Sequence, residues 1–457
     1  MSLASLALRT GADDQVSMEV RRVPGVDGDR DVMWVEMGGV TASGFKGVPL
    51  SWSTSTMIEH AARLARVEGM PLVVVIASTG ADIVEGIAAL EGWGRLAKAL
   101  VDCSGVVPTI LVVDGPAVSG PALLLGVADL VVMTDSSYAF VNGPHMVAEF
   151  TGVQISTDEL GGASHLARHT GVPSLVVADR DGATSAVIDL LAYLPSSADE
   201  EPARWPNDDP VDRPCPEAGD LVPPTSTGTY DVRQVAAAIV DQGSLMEIRD
   251  RWATNVVTAF ATVDGRPIGI IANQPMSLAG TLDIPASQKA ARFVALCDAF
   301  NIGLLTLVDT PGFYPGKDLE WRGMIRHGAQ LVFAYARATV PRLCVILRKS
   351  YGGAHIVMDS KRMGNDVCFA WPWAELAVMG AGQAAAILQR RATPEQRAVF
   401  EADYAHRLLN PYVAAERGYI DAVIEPSRTR IEIAAAFDNL ADKREHLQPR
   451  KHGNEPL

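Results

Sequence analysis

Two short glycine-rich stretches hold the residues best suited to chemistry. Residues 349–358 read KSYGGAHIVM, directly after the apolar run RLCVIL, and residues 115–122 read GPAVSGPA, directly after TILVVD. A glycine elbow between a strand and a helix brings bare backbone N–H groups together at the positive end of a helix dipole. Such a place stabilises negative charge developing on an oxygen, by about 2.7–4 kcal/mol per donor in known oxyanion holes. Phosphate is the rival ligand, but neither stretch carries G-x-x-x-x-G-K-[ST] or G-x-G-x-x-G. Ser119 has no G-x-S-x-G elbow around it and no identifiable histidine partner, so it is not read as a nucleophile. Enolate chemistry is the better match. Two such elbows imply two carbonyl compounds, each with its oxygen held while charge appears on it.

Each elbow needs a strand to deliver it and a helix to receive it. Continuous β-branched runs at 71–77, 109–115, 303–309 and 342–347 predict buried parallel strands, with helices over 83–103 and 320–338. Any two βαβ units share that outline, but the spacing here is tighter than the outline requires. Pro108 to Gly120 is twelve residues, as is Pro341 to Gly353; Gly80 to Gly120 is forty and Gly312 to Gly353 forty-one. Matched spacing at these landmarks favours a duplicated α/β module with both glycine loops of each copy at one sheet edge.

The length of 457 residues suits two domains. Residues 196–227 hold seven prolines and many acids, and read as an extended linker between 1–195 and 228–440, with a polar, mobile tail at 441–457. Hydrophobic residues at 48% against 20% charged exclude a disordered chain. The charge balance, 39 − 54 = −15, argues against nucleic acid as a partner. Five scattered cysteines with no C-x-x-C pair make a zinc site unexpected and suit a reducing compartment. The N-terminus is too soon acidic for a signal peptide and no run reaches membrane-spanning length, so the cytoplasm is the expected location, with no membrane partner.

VDTPGFYPG, IRHGAQLVFAYARATVP, VILRKSYGGAHIVM, WAELAVMGAGQAAAIL and NPYVAAERGYIDAVIEP resemble the carboxyltransferase (β) subunit of biotin-dependent acyl-CoA carboxylases. The resemblance runs over roughly 228–430, extends more loosely to 136–172, and is poor over 1–70. It implies two tandem crotonase-type spiral βαβ domains, the first on the acyl-CoA side and the second on the biotin side. It also implies carboxybiotin on a separate carrier subunit, a biotin carboxylase partner, no metal, and head-to-tail dimers assembled into hexamers. By position, the amides of Gly353 and Ala354 would face the biotin ureido oxygen, and those of Ser119 and Gly120 the thioester oxygen. Gly80, Ala81, Gly312, Phe313, Tyr351, Gly352 and Ile356 would line the two substrates.

The chain departs from the family where the acyl thioester would sit. ASTGAD (77–82) stands where DSGGAR is usual, and GPAVSGP (115–121) where GPCAGGA is usual. Ser119 adds a Cβ, Pro121 removes an N–H, and Asp82 replaces an arginine near an anionic CoA. At an effective dielectric near 20, a charge reversal about 8 Å from a phosphate is worth roughly 4 kcal/mol before screening. Either the acyl site serves an unusual substrate or it has lost catalysis, so a malonyl-type decarboxylase and a weakly active scaffold subunit stand beside the carboxyltransferase. Ile356 stands where many relatives carry aspartate, which points to a different acyl preference or to plain packing. Arg348 and Lys349 read either as positive charge for CoA or a carboxylate or, equally, as solvated charges at a strand end. His327, Trp371 and Trp373 read as interfacial or packing residues.

Overall fold

The structure, a computed structural model, describes residues 15–41, 44–445 and 451–456. The N-terminal stretch read for a signal peptide lies outside the described residues up to residue 14, as do 446–450 and 457 of the tail. The chain divides into two compact units, residues 1–203 with 299–301, and residues 204–298 with 302–457.

Each unit is built on one twisted sheet with the same plan. In the first, Val16–Val23 pairs antiparallel with Arg30–Met37, which is followed in parallel by Leu72–Ala81, Thr109–Val118, Leu130–Thr134 and Leu175–Val177. In the second, Val256–Val263 pairs antiparallel with Arg266–Asn273, followed in parallel by Gly303–Thr310, Arg342–Tyr351, Val367–Ala370 and Ala422–Val423. Met246–Ile248 adds an edge strand to the second sheet. All residues of Gly303–Thr310 and Arg342–Tyr351 are buried, the apolar stretches as expected in a parallel sheet and the polar residues at their ends with them.

The two sheets share an irregularity as well as an order. Ile76 faces Val113 but Ser78 faces Ala117, so two extra residues enter the second strand; Val308 faces Ile346 but Thr310 faces Ser350, the same slip. Beyond it, the end of each central strand pairs with a short strand, Tyr138–Phe140 or Glu375–Ala377. A shared slip of two residues at the same place is a stronger mark of duplication than strand order.

Four expectations are corrected. The helix expected over 83–103 starts at Ile87, because residues 83–86 form a turn that ends on Gly86 at φ +57°. The helix expected over 320–338 is split into Lys317–Trp321 and Met324–Arg337, because Gly323 adopts φ +94°, which a right-handed helix does not admit. The proline-rich stretch expected as a free linker is built into the second unit from Arg204 on. Its prolines keep it out of the sheet, but Cys215, Ala218 and Val222 pack into the core and the Cys215 N–H donates to the Ser427 carbonyl at 2.9 Å. The tail is likewise docked in its described part, where Lys443 meets Asp366 at 2.8 Å and Gln330 donates to the Pro456 carbonyl.

Arg430 ties that stretch to the sheet. Fully buried, it donates to Asp241 at 2.7 Å and to the carbonyls of Asp209, Pro210 and Ile239. Burial disfavours the Asp241 carboxylate, yet the Gly265 N–H, the Thr262 hydroxyl and Arg430 outweigh it and hold the carboxyl below the usual range. Arg430→Met strands that carboxylate, with an expected loss of about 3–5 kcal/mol, read as a lower urea midpoint. A depressed folded pKa stabilises above the ordinary aspartate range and is lost as pH falls through it. The wild-type protein is therefore expected to lose stability on acidification below about pH 4 more steeply than the variant.

Candidate functional site

The second elbow forms where Arg342–Tyr351 runs into the helix Gly352–Val357. Gly352 sits at φ +59°, with the Val378 carbonyl 3.3 Å from where a Cβ would stand, so the turn is made for glycine. Gly353 and Ala354 open the helix, and N–H groups in a first turn have no partner within the helix. The loop after Gly303–Thr310 comes up against them. The Gly312 carbonyl accepts from Leu282, Gly312 is at φ +140°, and the Phe313 ring lies 3.5 Å from the Cβ position of Gly353. The Tyr351 hydroxyl donates to the Glu375 carboxylate. Gly312, Phe313, Tyr351, Gly352, Gly353 and Ala354 thus stand at one place in the fold, beside a cavity of about 630 Å³ that Gly352, Gly353, His355 and Ile356 line.

The first elbow has the same frame and different chemistry. The register makes Ser119, Gly120 and Pro121 the counterparts of Gly352, Gly353 and Ala354, one residue out of step with the pairs of donors expected above. Ser119 holds φ +62° and ψ −125°, a glycine conformation, and its N–H is spent on the Phe140 carbonyl at 2.9 Å. Ser119 is therefore not an oxyanion donor. Pro121 has no N–H, so of the elbow's three positions only Gly120 keeps a donor. Gly120 is required on steric grounds too, because a Cβ there would meet the Trp93 indole Nε1 at 3.0 Å. Gly80 sits at φ +112°, a Cβ placed on it would stand in ordinary contact with the Ser119 Cβ at 3.7 Å, and Ala81 follows it at the end of Leu72–Ala81. Asp82 turns inward on itself, its carboxylate accepting from the Val84 N–H at 2.9 Å.

Beneath the second elbow lies a buried ion cluster that the sequence reading missed. Asp309, fully buried, accepts from Arg348 and from the Tyr230 hydroxyl, each at 2.9 Å, and from the Lys349 N–H at 3.2 Å. Arg348 also donates to the Thr225 carbonyl and Lys349 to the Ser226 carbonyl. These two cations, read as ligand-binding or as solvated strand-end charges, are instead spent inside the fold. Burial, together with the Asp309 carboxylate, drives the Tyr230 hydroxyl well above its usual pKa, and burial lowers that of Lys349. The signal for the cluster was available: an aspartate closing an apolar strand must find cationic or N–H partners. His355 was missed as well. Its Nδ1 lies 2.8 Å from Ser350 Oγ, and burial lowers its pKa, which favours the neutral ring.

Paired βαβ units on two like sheets, each presenting a backbone elbow, define the two-domain crotonase-like fold of carboxyltransferases. The chain belongs to the carboxyl transferase family: the model of the carboxyl transferase domain matches residues 40–455. It is 45% identical over 413 residues to the propionyl-CoA carboxylase beta chain of Saccharopolyspora erythraea, covering 86% of this chain and 76% of that one. It is 41% identical over 406 residues to the methylmalonyl-CoA decarboxylase subunit alpha of Veillonella parvula, covering 87% and 79%. A crystal structure of transcarboxylase 12S, a hexamer with methylmalonyl-CoA bound, superposes with a TM-score of 0.92 at 40% identity, covering 97% of this chain and 85% of that one. The protein is an enzyme, a carboxyltransferase of the biotin-dependent carboxylases.

Equivalent positions in the two elbows respond to substitution in opposite directions. Ser119→Gly relieves a positive φ and raises stability by about 1 kcal/mol, after the entropy that glycine adds to the unfolded chain. Gly352→Ala imposes the same strain and crowds the Val378 carbonyl, a loss of about 1–3 kcal/mol. Thermal unfolding of both variants checks the pair of signs.

Proposed function

We propose that the protein moves a carboxyl group from N-carboxybiotin, delivered by a separate carrier subunit, to the α-carbon of an acyl-CoA. The doubled elbow with its shared register slip carries this reading, since a reaction between two carbonyl compounds calls for two such places. Carboxybiotin releases CO2, leaving an enolate on the ureido oxygen; that enolate takes the α-proton of the thioester; the thioester enolate then attacks CO2. The Gly353 and Ala354 amides hold the ureido oxygen and the Gly120 amide the thioester oxygen. Each donor is worth about 2.7–4 kcal/mol where charge develops.

Residues 1–195 take the acyl-CoA and 228–440 the biotin, with each site completed by a second copy arranged head to tail and the dimers gathered into a hexamer, as transcarboxylase 12S is. A biotin carboxylase and its carrier are the partners, and a short acyl group such as propionyl is the substrate, after the named beta chain. Ile356, 42% exposed at the cavity, meets that acyl group with an apolar surface. Five unpaired cysteines agree with work in the cytoplasm.

A second reading is favoured by the reduced first elbow and by the decarboxylase subunit among the relatives: release of CO2 from a malonyl-type thioester. Purified chain incubated with carboxybiotin and propionyl-CoA separates the two. Formation of methylmalonyl-CoA supports transfer; CO2 release from methylmalonyl-CoA without biotin, and no transfer to any acyl-CoA, supports the second reading. Pro121→Ala returns an N–H to the first elbow, and kcat/KM for the acyl-CoA is expected to rise about tenfold or more. An unchanged value rules out the thioester oxygen at that elbow.

A further inference from the structure

The cavity at the second elbow has a charge character that the backbone elbow itself does not supply. Its walls are apolar where Ile356, Leu376, Val378, Leu408 and Val413 stand, and its cations are Lys361, Arg362 and Arg417. Among the described residues no aspartate or glutamate lines it, in a chain whose net charge is −15. Lys361 is engaged, with Asp421 at 2.8 Å and the Asp366 carbonyl at 2.6 Å. Arg362 lies over the Tyr419 ring, 5.8 Å from its centre, and among the described residues neither Arg362 nor Arg417 forms an ion pair. The π-helical turn Ala405–Leu409 brings Leu408 to the same wall, a distortion common at functional sites.

We propose that this cavity selects an anionic ligand and that Arg362 and Arg417 hold its oxyanion while the apolar wall takes its body. Unpaired guanidiniums next to aromatic and aliphatic surface suit a carboxylate or phosphate in the fork geometry that lysine lacks. Within the proposed reaction, on which this inference rests, that oxyanion belongs either to the N-carboxylate of carboxybiotin or to the phosphates of CoA.

The test uses the full chain with Arg362→Gln and Arg417→Gln, and with Arg362→Lys and Arg417→Lys as variants that keep charge and lose the fork. Steady-state kinetics run forward with carboxybiotin and propionyl-CoA, and in reverse with biocytin and methylmalonyl-CoA. If the N-carboxylate is held, KM for carboxybiotin rises about tenfold per glutamine while KM for biocytin, which lacks that carboxylate, stays put. If the phosphates are held, KM for both thioesters rises and the wild-type value becomes the more salt-dependent one. The lysine variants are expected to recover part of either effect. KM values all within twofold of wild type in folded variants overturn the proposal. Equilibrium dialysis of CoA needs no turnover. A chain without transfer activity whose CoA affinity still depends on the arginines sinks the function reading alone, and a chain with neither property sinks both.

Discussion

A backbone amide serves chemistry only if no neighbouring strand has already taken it. In a parallel sheet every interior N–H is claimed, so a catalytic amide must come from a place where the ladder breaks. Here the break is a slip of two residues, at Ile76–Ser78 against Val113–Ala117 and at Val308–Thr310 against Ile346–Ser350. The longer strand overhangs its neighbour, finds a short new partner, and turns at once into a helix whose first N–H groups are free by construction. Positive-φ residues at 119 and 352, and at 80 and 312, let the chain turn within this space.

The two units stabilise the overhang in different ways. In the second, Asp309 and Arg348 face each other across the two strand ends, with Tyr230 donating to the carboxylate and the Thr225 carbonyl accepting from the guanidinium. The register makes Ala77 and Gly115 their counterparts in the first unit, where a Cβ on Gly115 would meet the Ala77 Cβ at 3.4 Å. One unit fills the place with a buried ion pair and the other with two small residues in van der Waals reach. That exchange agrees with the general finding that a buried ion pair and close apolar packing are near equals in free energy. What the ion pair adds is direction: through Arg348 and Lys349 it anchors residues 223–226 to the strand that ends in the elbow.

Most of the frame was legible because it rests on local rules. Apolar β-branched runs marked the strands, and glycines at matched intervals marked both elbows. Failures came where tertiary contact overrode a local rule. Prolines in 196–227 signalled chain without ladder bonds, which is right, but could not show that Cys215, Ala218 and Val222 have a core to enter. Arg348 and Lys349 read as free charge because their partner lies some forty residues away in sequence, at Asp309. The donor at Ser119 failed for a related reason. Whether an amide is free depends on a carbonyl of another strand, Phe140, and spacing carries no trace of it.

Ser119 and Pro121 look like damage when read against the usual sequence, yet the geometry around them is orderly. A serine at φ +62° carries a strain of about 1–3 kcal/mol and persists only where neighbours hold it. The Phe140 carbonyl fixes its N–H, and its Cβ lies 3.7 Å from the Cβ place that Gly80 leaves empty. The Trp93 edge fills the corresponding space at Gly120. A decayed loop would have lost such fitted contacts; this one has traded a second donor for a tightly packed turn and kept the Gly120 amide at the helix start. The first elbow is therefore a packed turn that leaves one N–H, that of Gly120, at its helix start, where the second leaves those of Gly353 and Ala354.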